Sequence, residues 1–245
     1  MTNAEFRGSR KHVLDLVENA DFIPLANGLI RESGATISQQ DAFRPRGHID
    51  RAEMELRDFG PLCLPDVIDW NIVNSWWPGR PAKSPQWDLL ITCMHGVSKG
   101  LVLVEAKAHE GELDWEGKEL AKDASNDSIR NHRQIGACIS EACQSLKEKL
   151  TGFNIGRDSH YQIANRIAFA WKLAQCGLPA VLLYLGFTGD ESMANVGTPF
   201  RDGDHWQRVM GAYMHGVLPL SLPGMRLDFA GTPLVMLVKS LPIKA

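Results

Sequence analysis

The run Ala180-Val181-Leu182-Leu183-Tyr184-Leu185-Gly186-Phe187 carries a single polar side-chain group in eight residues. A strand with one face in water alternates apolar and polar positions, so a continuous apolar run suits a strand covered on both faces. Directly before it, His160 to Cys176 is apolar around most of a helical circumference, through Ile163, Ala164, Ile167, Ala168, Phe169, Trp171 and Ala174. Gly177 closes that stretch, with Pro179 just beyond. A largely buried helix feeding a doubly covered strand indicates an α/β fold, with a central mixed β-sheet flanked by helices.

The remaining elements follow from the same signals. A first helix is expected over about Arg10 to Asn19, with Ser9 as its cap and Val13, Leu14 and Val17 on one face. A second is expected over Arg51 to Asp58, capped by Asp50 and stopped by Gly60-Pro61. Trp87 to Met94 and Leu101 to Ala108 read as two strands of a hairpin around His95-Gly96 and Lys99-Gly100. Asp127 to Leu150 is a helix by the spacing of Ile135, Ile139, Ala142, Cys143, Leu146 and Leu150, and Pro233 to Val238 is one more short strand. Trp76 to Pro85 is long enough to separate an N-terminal layer from the centre and reads equally well as a surface loop, and residues 1–245 read as one domain.

Composition narrows the function classes. The chain is 44% hydrophobic and 22% charged, ordinary globular usage that excludes a disordered or fibrous reading. Five cysteines, an odd number outside any C-x-x-C pair, suggest reduced thiols and a cytoplasmic location. Met1 to Ala20 shows no secretory leader, and no apolar stretch is long enough to span a membrane, so no membrane partner is expected. A net charge of −3 gives no whole-molecule field for polyanions, and any contact with nucleic acid must come from a local basic patch.

Chemistry concentrates in Glu105-Ala106-Lys107, which lies inside an otherwise apolar strand. Burying a carboxylate and an ammonium there costs several kcal/mol unless they are paired or metal-bound. Side chains alternate along a strand, so Glu105 and Lys107 share a face. If Met94 pairs with Leu101, Asp88 stands opposite Lys107 and Leu90 opposite Glu105, and Asp88, Glu105 and Lys107 gather on one face. Two carboxylates beside a lysine suit a hard divalent cation that keeps several waters.

An Asp at the start of one strand, a hairpin, and E-x-K in the next strand resemble the pattern of the PD-(D/E)XK nuclease superfamily, matched here by Asp88 and Glu105-Ala106-Lys107. The resemblance covers roughly Arg51 to Phe187, and E-A-K-A-H-E-G-E-L with H-Y-Q-I-A-N-R is similar to uncharacterised bacterial members. Trp87 stands where the family usually has proline. The resemblance implies a restriction-endonuclease-like fold, core about 51–187, with a helical insertion at about 111–158. It also implies magnesium, replaceable by manganese, held by Asp88 and Glu105, with Lys107 catalytic. Some branches carry Gln-x-x-x-Tyr on the following helix; Gln162 matches it and Arg166 replaces the tyrosine. A first-helix glutamate would be Glu53, with Glu55 and Glu18 as rivals. The implied activity is hydrolysis of phosphodiester bonds in nucleic acid, DNA above RNA, by a metal-activated water, with a homodimer as an assembly that lets two sites address two strands.

Other readings stay open. The fold can serve a non-catalytic binding module, or a metal-dependent phosphoesterase for small nucleotides. Glu116-Gly117-Lys118 is a second E-x-K in a loop or helix. Arg166 and Asn165 read as the polar stripe of their helix, and His109 and Glu112 as hydrated loop residues. Asp202-Gly203-Asp204-His205 reads as a turn rather than a calcium loop, and Trp76-Trp77 as packing rather than a base-stacking platform.

Overall fold

The computed structural model describes residues 7–80, 82 and 84–243. Residues 1–6 of the stretch read for a leader, and Pro81 and Lys83 of the 76–85 segment, lie outside the described residues.

A seven-stranded mixed sheet forms the middle layer, in the order β1 (Ala35–Thr36), β3 (Leu89–His95), β4 (Ser98–Lys107), β5 (Ala180–Thr188), β7 (Thr232–Pro242), β6 (Arg226–Phe229); β2 (Phe43–Arg44) also pairs with β3. β4, β5 and β7 are mutually parallel, and the other pairings are antiparallel. Helices α1 (Gly8–Glu18) and α2 (Phe22–Ile30) cover one face, over Val102, Val104, Leu183, Leu185 and Leu237. α5 (Asn126–Lys149), α6 (Tyr161–Gln175) and α7 (Gly203–Met214) cover the other, over Leu101, Leu103, Leu182, Tyr184 and Met236, with α3 (Leu56–Cys63) and α4 (Trp70–Trp76) packed into the same core. All nine residues of β5 are buried, as a strand between two helical layers requires.

Several boundaries differ from the sequence expectation, each for a physical reason. The β3–β4 turn is tighter than the His95-Gly96 and Lys99-Gly100 signals imply: His95 pairs with Ser98 across Gly96-Val97, and Gly96 has φ +60°. A glycine with positive φ at the first central position is the hairpin preference that sets this register. Gly100 therefore sits inside β4, where the Pro179 carbonyl passes so closely that an added Cβ would lie 2.8 Å from it. The register moves by two residues, so Leu90 faces Leu103 rather than Glu105. A two-residue shift leaves every side chain on its expected face.

Ser9 is not a cap but lies within α1, its hydroxyl donating to Glu112 Oε1 at 2.9 Å. The helix expected over 51–58 begins only at Leu56, because an antiparallel bridge between Glu55 and Gln86 holds the preceding chain extended. Gly60 and Pro61 fall inside α3, and the bare Gly60 backbone seats the Trp70 indole, which an added Cβ would overlap. Asp202-Gly203-Asp204-His205 opens α7, with Asp202 accepting from the His205 amide at 2.7 Å. Trp76 and Trp77 are packing residues, set against Phe169 and Trp171. Within the 111–158 region, Ile135, Ile139, Ala142 and Leu146 of α5 join the core that α6 fills. Pro233 to Val238 belongs to the longer β7, which folds back on β6 through Ala230 and Gly231, both at positive φ. All five cysteines are free thiols, and no described helix is long and apolar enough to cross a membrane.

Candidate active site

Glu105 and Lys107 end β4 on the face that carries Leu101 and Leu103, beneath α6. They are 2% and 5% exposed, so the charges that the sequence places in an apolar strand are indeed buried. Asp88 immediately precedes β3, and continuing the ladder from Leu89 and Val104 sets it across from Glu105. Its Oδ2 accepts from the Ala106 amide at 2.7 Å, which ties the first strand's carboxylate to the second strand's backbone. Asp88, Glu105 and Lys107 thus meet, with Glu105 and not Lys107 opposite Asp88.

Glu105 is the hub. Lys107 Nζ donates to its Oε1 at 2.6 Å and Arg166 Nε to its Oε2 at 2.5 Å. Arg166 also donates to the Gln86 carbonyl at 2.8 Å and to Asn165 Oδ1 at 2.9 Å, and its guanidinium lies 4.8 Å from the centre of the Trp87 ring. The solvated stripe expected for Asn165 and Arg166 is therefore wrong: they are 4% and 8% exposed and line the charge cluster. Helical periodicity could not reveal this, because their side of α6 packs over the sheet at the point where Glu105 needs a partner.

The electrostatics follow from burial and charge count. Burial disfavours an ionised Glu105, but the adjacent Arg166 and Lys107 outweigh it and hold its carboxyl below the usual range. Burial also works against the Arg166 charge, and Glu105 more than compensates, so the guanidinium pKa rises. Asp88 goes the other way: burial first, then the negative charge of Glu105, push its carboxyl up to about 7, against the pull of Lys107 and the Ala106 amide. An unfolded Asp88 titrates near 3.8. Between these values the folded chain holds a proton that the unfolded chain has released, so this group's contribution to stability is greatest below about pH 4 and declines until about pH 7. In EDTA, Asp88→Asn is expected to remove that decline and make the variant the more stable form at pH 8. Urea midpoints across pH 4–8 that fall in parallel for the two proteins would contradict the assignment.

Sequence reasoning missed Tyr184. It pairs with Glu105 in the parallel β4–β5 ladder and lies in the same core, and its buried hydroxyl has no hydrogen-bond partner among the described residues. Its only signal was a lone hydroxyl in an apolar run. Burial above all raises its pKa well above the ordinary tyrosine value. Gln162 stands one turn before Arg166 on α6, half-buried, with its Oε1 buried and without a partner among the described residues. His109 is buried rather than hydrated, at 6% exposure, and Glu112 accepts from the Ala108 amide and from Ser9, tying the end of β4 to α1.

Comparison of the chain with protein-family models, with curated proteins and with solved structures returned no match. The site therefore stands on its own geometry.

The third carboxylate does not arrive. Glu53 precedes α3, outside any helix or strand, and lies 3.8 Å from Arg10 of α1. Glu55 is taken by Ser84 and Arg57, and Glu18 by the His48 amide. No cluster of three His, Cys, Asp or Glu side chains suited to a metal occurs among the described residues. The donors at hand are two: Asp88, with one oxygen beyond its Ala106 contact and part of its surface open to solvent, and Glu105, whose oxygens each keep a second lone pair. A cation between two such carboxylates would offset the burial of Asp88 and relieve its repulsion by Glu105. These two carboxylates are the residues that could hold a hard divalent cation, one that kept most of its water.

Proposed function

We propose that the chain is a metal-dependent nuclease that hydrolyses phosphodiester bonds of nucleic acid, with DNA as the expected substrate. One observation carries this reading: Asp88, just before β3, and Glu105 and Lys107 of β4 converge on a single face at the end of an apolar stretch of one hairpin. The order Asp strand, tight hairpin, E-x-K strand, helices and parallel strand supports the nuclease resemblance. Asp88 and Glu105 would hold magnesium, which when bound supplies Lewis acidity and a more acidic water. Lys107, oriented by its hydrogen bond to Glu105, would stabilise the negative charge that grows on the phosphate. Arg166 positions Glu105 from behind, and Gln162, with its unpartnered amide oxygen on the same helix, would orient the attacking water.

A second reading has its own observation. Lys107 and Arg166 already pair with both oxygens of Glu105, and Asp88 already accepts from the Ala106 amide, so the cluster is satisfied as a structural element of a non-catalytic binding module. Titration with magnesium and manganese separates the two. On the nuclease reading, ions at a hundred times their Kd raise stability by about 2.7 kcal/mol, and Asp88→Asn moves the rise to higher ion concentration. Labelled DNA and RNA incubated with either ion should then be cut. A flat titration and intact nucleic acid would leave the binding module. A small-nucleotide phosphoesterase is favoured instead if mononucleotide diesters are hydrolysed while polymers are neither bound nor cut.

A further inference from the structure

A second concave feature lies outside the charge cluster. Along α5, Arg133, Gly136, Ser140, Gln144 and Lys147 line one side of a groove of about 530 Å³, and the segment from Asn154 to Asp158 forms the other. Their spacing of three or four residues places them on one helix face. Gly136 and Ser140 keep the floor low: an added Cβ at Gly136 would already meet the Arg157 guanidinium at 3.1 Å. Arg133, Arg157 and Lys147 contribute three positive charges and Asp158 one negative, so the groove is net positive in a chain whose net charge is −3. Arg157 is held by Asp158 and by the His132 carbonyl. Among the described residues, Arg133 and Lys147 form no salt bridge, and both are exposed. They are fourteen residues apart, about 21 Å along a helix. One strand of a duplex presents a phosphate about every 3.4 Å of axial rise, so this span matches roughly six phosphates. The far wall runs straight into α6, whose first turns hold Gln162 and Arg166, and the Arg157 carbonyl accepts from Lys118 at 2.8 Å in the segment that follows the E-x-K strand.

We infer that this groove binds the phosphate backbone of nucleic acid and leads it toward the Asp88–Glu105–Lys107 cluster. The identity of the ligand rests on the nuclease reading; the fit rests on the groove. Ser140, Gln144 and Asn154 add neutral hydrogen-bonding groups that recognise phosphate oxygens without reading sequence.

The test is fluorescence anisotropy with a labelled 20-base-pair DNA duplex, and with single-stranded DNA and RNA of the same sequence, in EDTA so that no cleavage intervenes. Arg133→Ala/Lys147→Ala is expected to weaken binding about tenfold or more at 100 mM salt. It should also flatten the slope of log K against log salt by nearly 2, about 0.9 for each phosphate that the variant leaves unneutralised. Lys99→Ala/Arg226→Ala, which removes two surface cations elsewhere, should change neither. An unchanged slope in the groove variant, an equal weakening in the control, or no binding by the unaltered chain would each overturn the inference. Hydrolysis is scored separately with magnesium. A chain that binds through the groove yet cuts nothing refutes the nuclease reading and leaves the groove standing.

Discussion

Replacing Arg166 with methionine is expected to destabilise the chain by about 3–5 kcal/mol, the range found when one partner is removed from a buried ion pair. Arg166 is 8% exposed, and three acceptors depend on it: Glu105 Oε2, the Gln86 carbonyl and Asn165 Oδ1. Methionine retains much of the volume against Trp87 and makes none of the three hydrogen bonds. Glu105 would then be balanced by Lys107 alone, with Asp88 beside it, and its carboxyl should rise toward the neutral form. Urea denaturation at pH 8 reads the loss. The double variant Arg166→Met/Glu105→Gln should recover a large part of it, since the uncompensated charge is gone and the non-additivity of neighbouring sites reports the pair directly. A single-variant loss below about 1 kcal/mol, or strict additivity in the double, would show that Arg166 does not hold Glu105.

Arg166 belongs to the part of the site that the sequence hid, and the reason is general. β5 and α6 were legible because burial on all sides leaves no choice of residue: Ala180 to Phe187 and the Ile163, Ile167, Trp171 series can only be interior. The shared face of Asp88, Glu105 and Lys107 was legible because strand parity survives a two-residue register error, although the register itself differs from the expected one. Gly100 looks like a turn residue, and its real duty, clearance for the Pro179 carbonyl, is a contact across 79 positions of chain that local pattern cannot carry.

Arg166 and Tyr184 were illegible for the same kind of reason. A cation on a helix reads as solvated until the helix is known to cover a buried carboxylate, and a tyrosine in an apolar strand reads as core. Glu53 stays out of the site because its expected helix does not form: residues 51–54 are neither helix nor strand, Glu55 is drawn into an extended bridge with Gln86, and no local propensity anticipates a bridge to a residue thirty-one positions on. α2 is absent from the elements expected from sequence, since Pro24 and Gly28 interrupt the helical pattern of Phe22-Ile23-Pro24-Leu25-Ala26-Asn27-Gly28. Pro24 occupies the first turn, where no backbone donor is sacrificed, and the Asn27 amide bonds the Ile23 and Ile37 carbonyls.

The largest functional effect is expected at Lys107. Lys107→Ala should reduce phosphodiester cleavage by about 10²–10⁴-fold, the range for removing a positioned acid–base or charge-stabilising group, while the chain stays folded. The fold survives because Glu105 keeps Arg166, its second cation, at 2.5 Å, and because the rest of β4 is held by β3 and β5 on either side. The loss should persist at saturating magnesium, since Lys107 contributes no metal ligand, whereas the loss in Asp88→Asn should shrink as magnesium or manganese is raised. Binding of nucleic acid in EDTA should be nearly unchanged, because a buried ammonium, 5% exposed and paired to Glu105, adds little to the field outside. Near-ultraviolet circular dichroism checks the fold, single-turnover cleavage reads the chemistry, and anisotropy reads the binding. Cleavage at the parental rate by folded Lys107→Ala protein would remove the group on which the hydrolytic reading depends, and the cluster around Glu105 would then stand as a structural tie between the hairpin and α6.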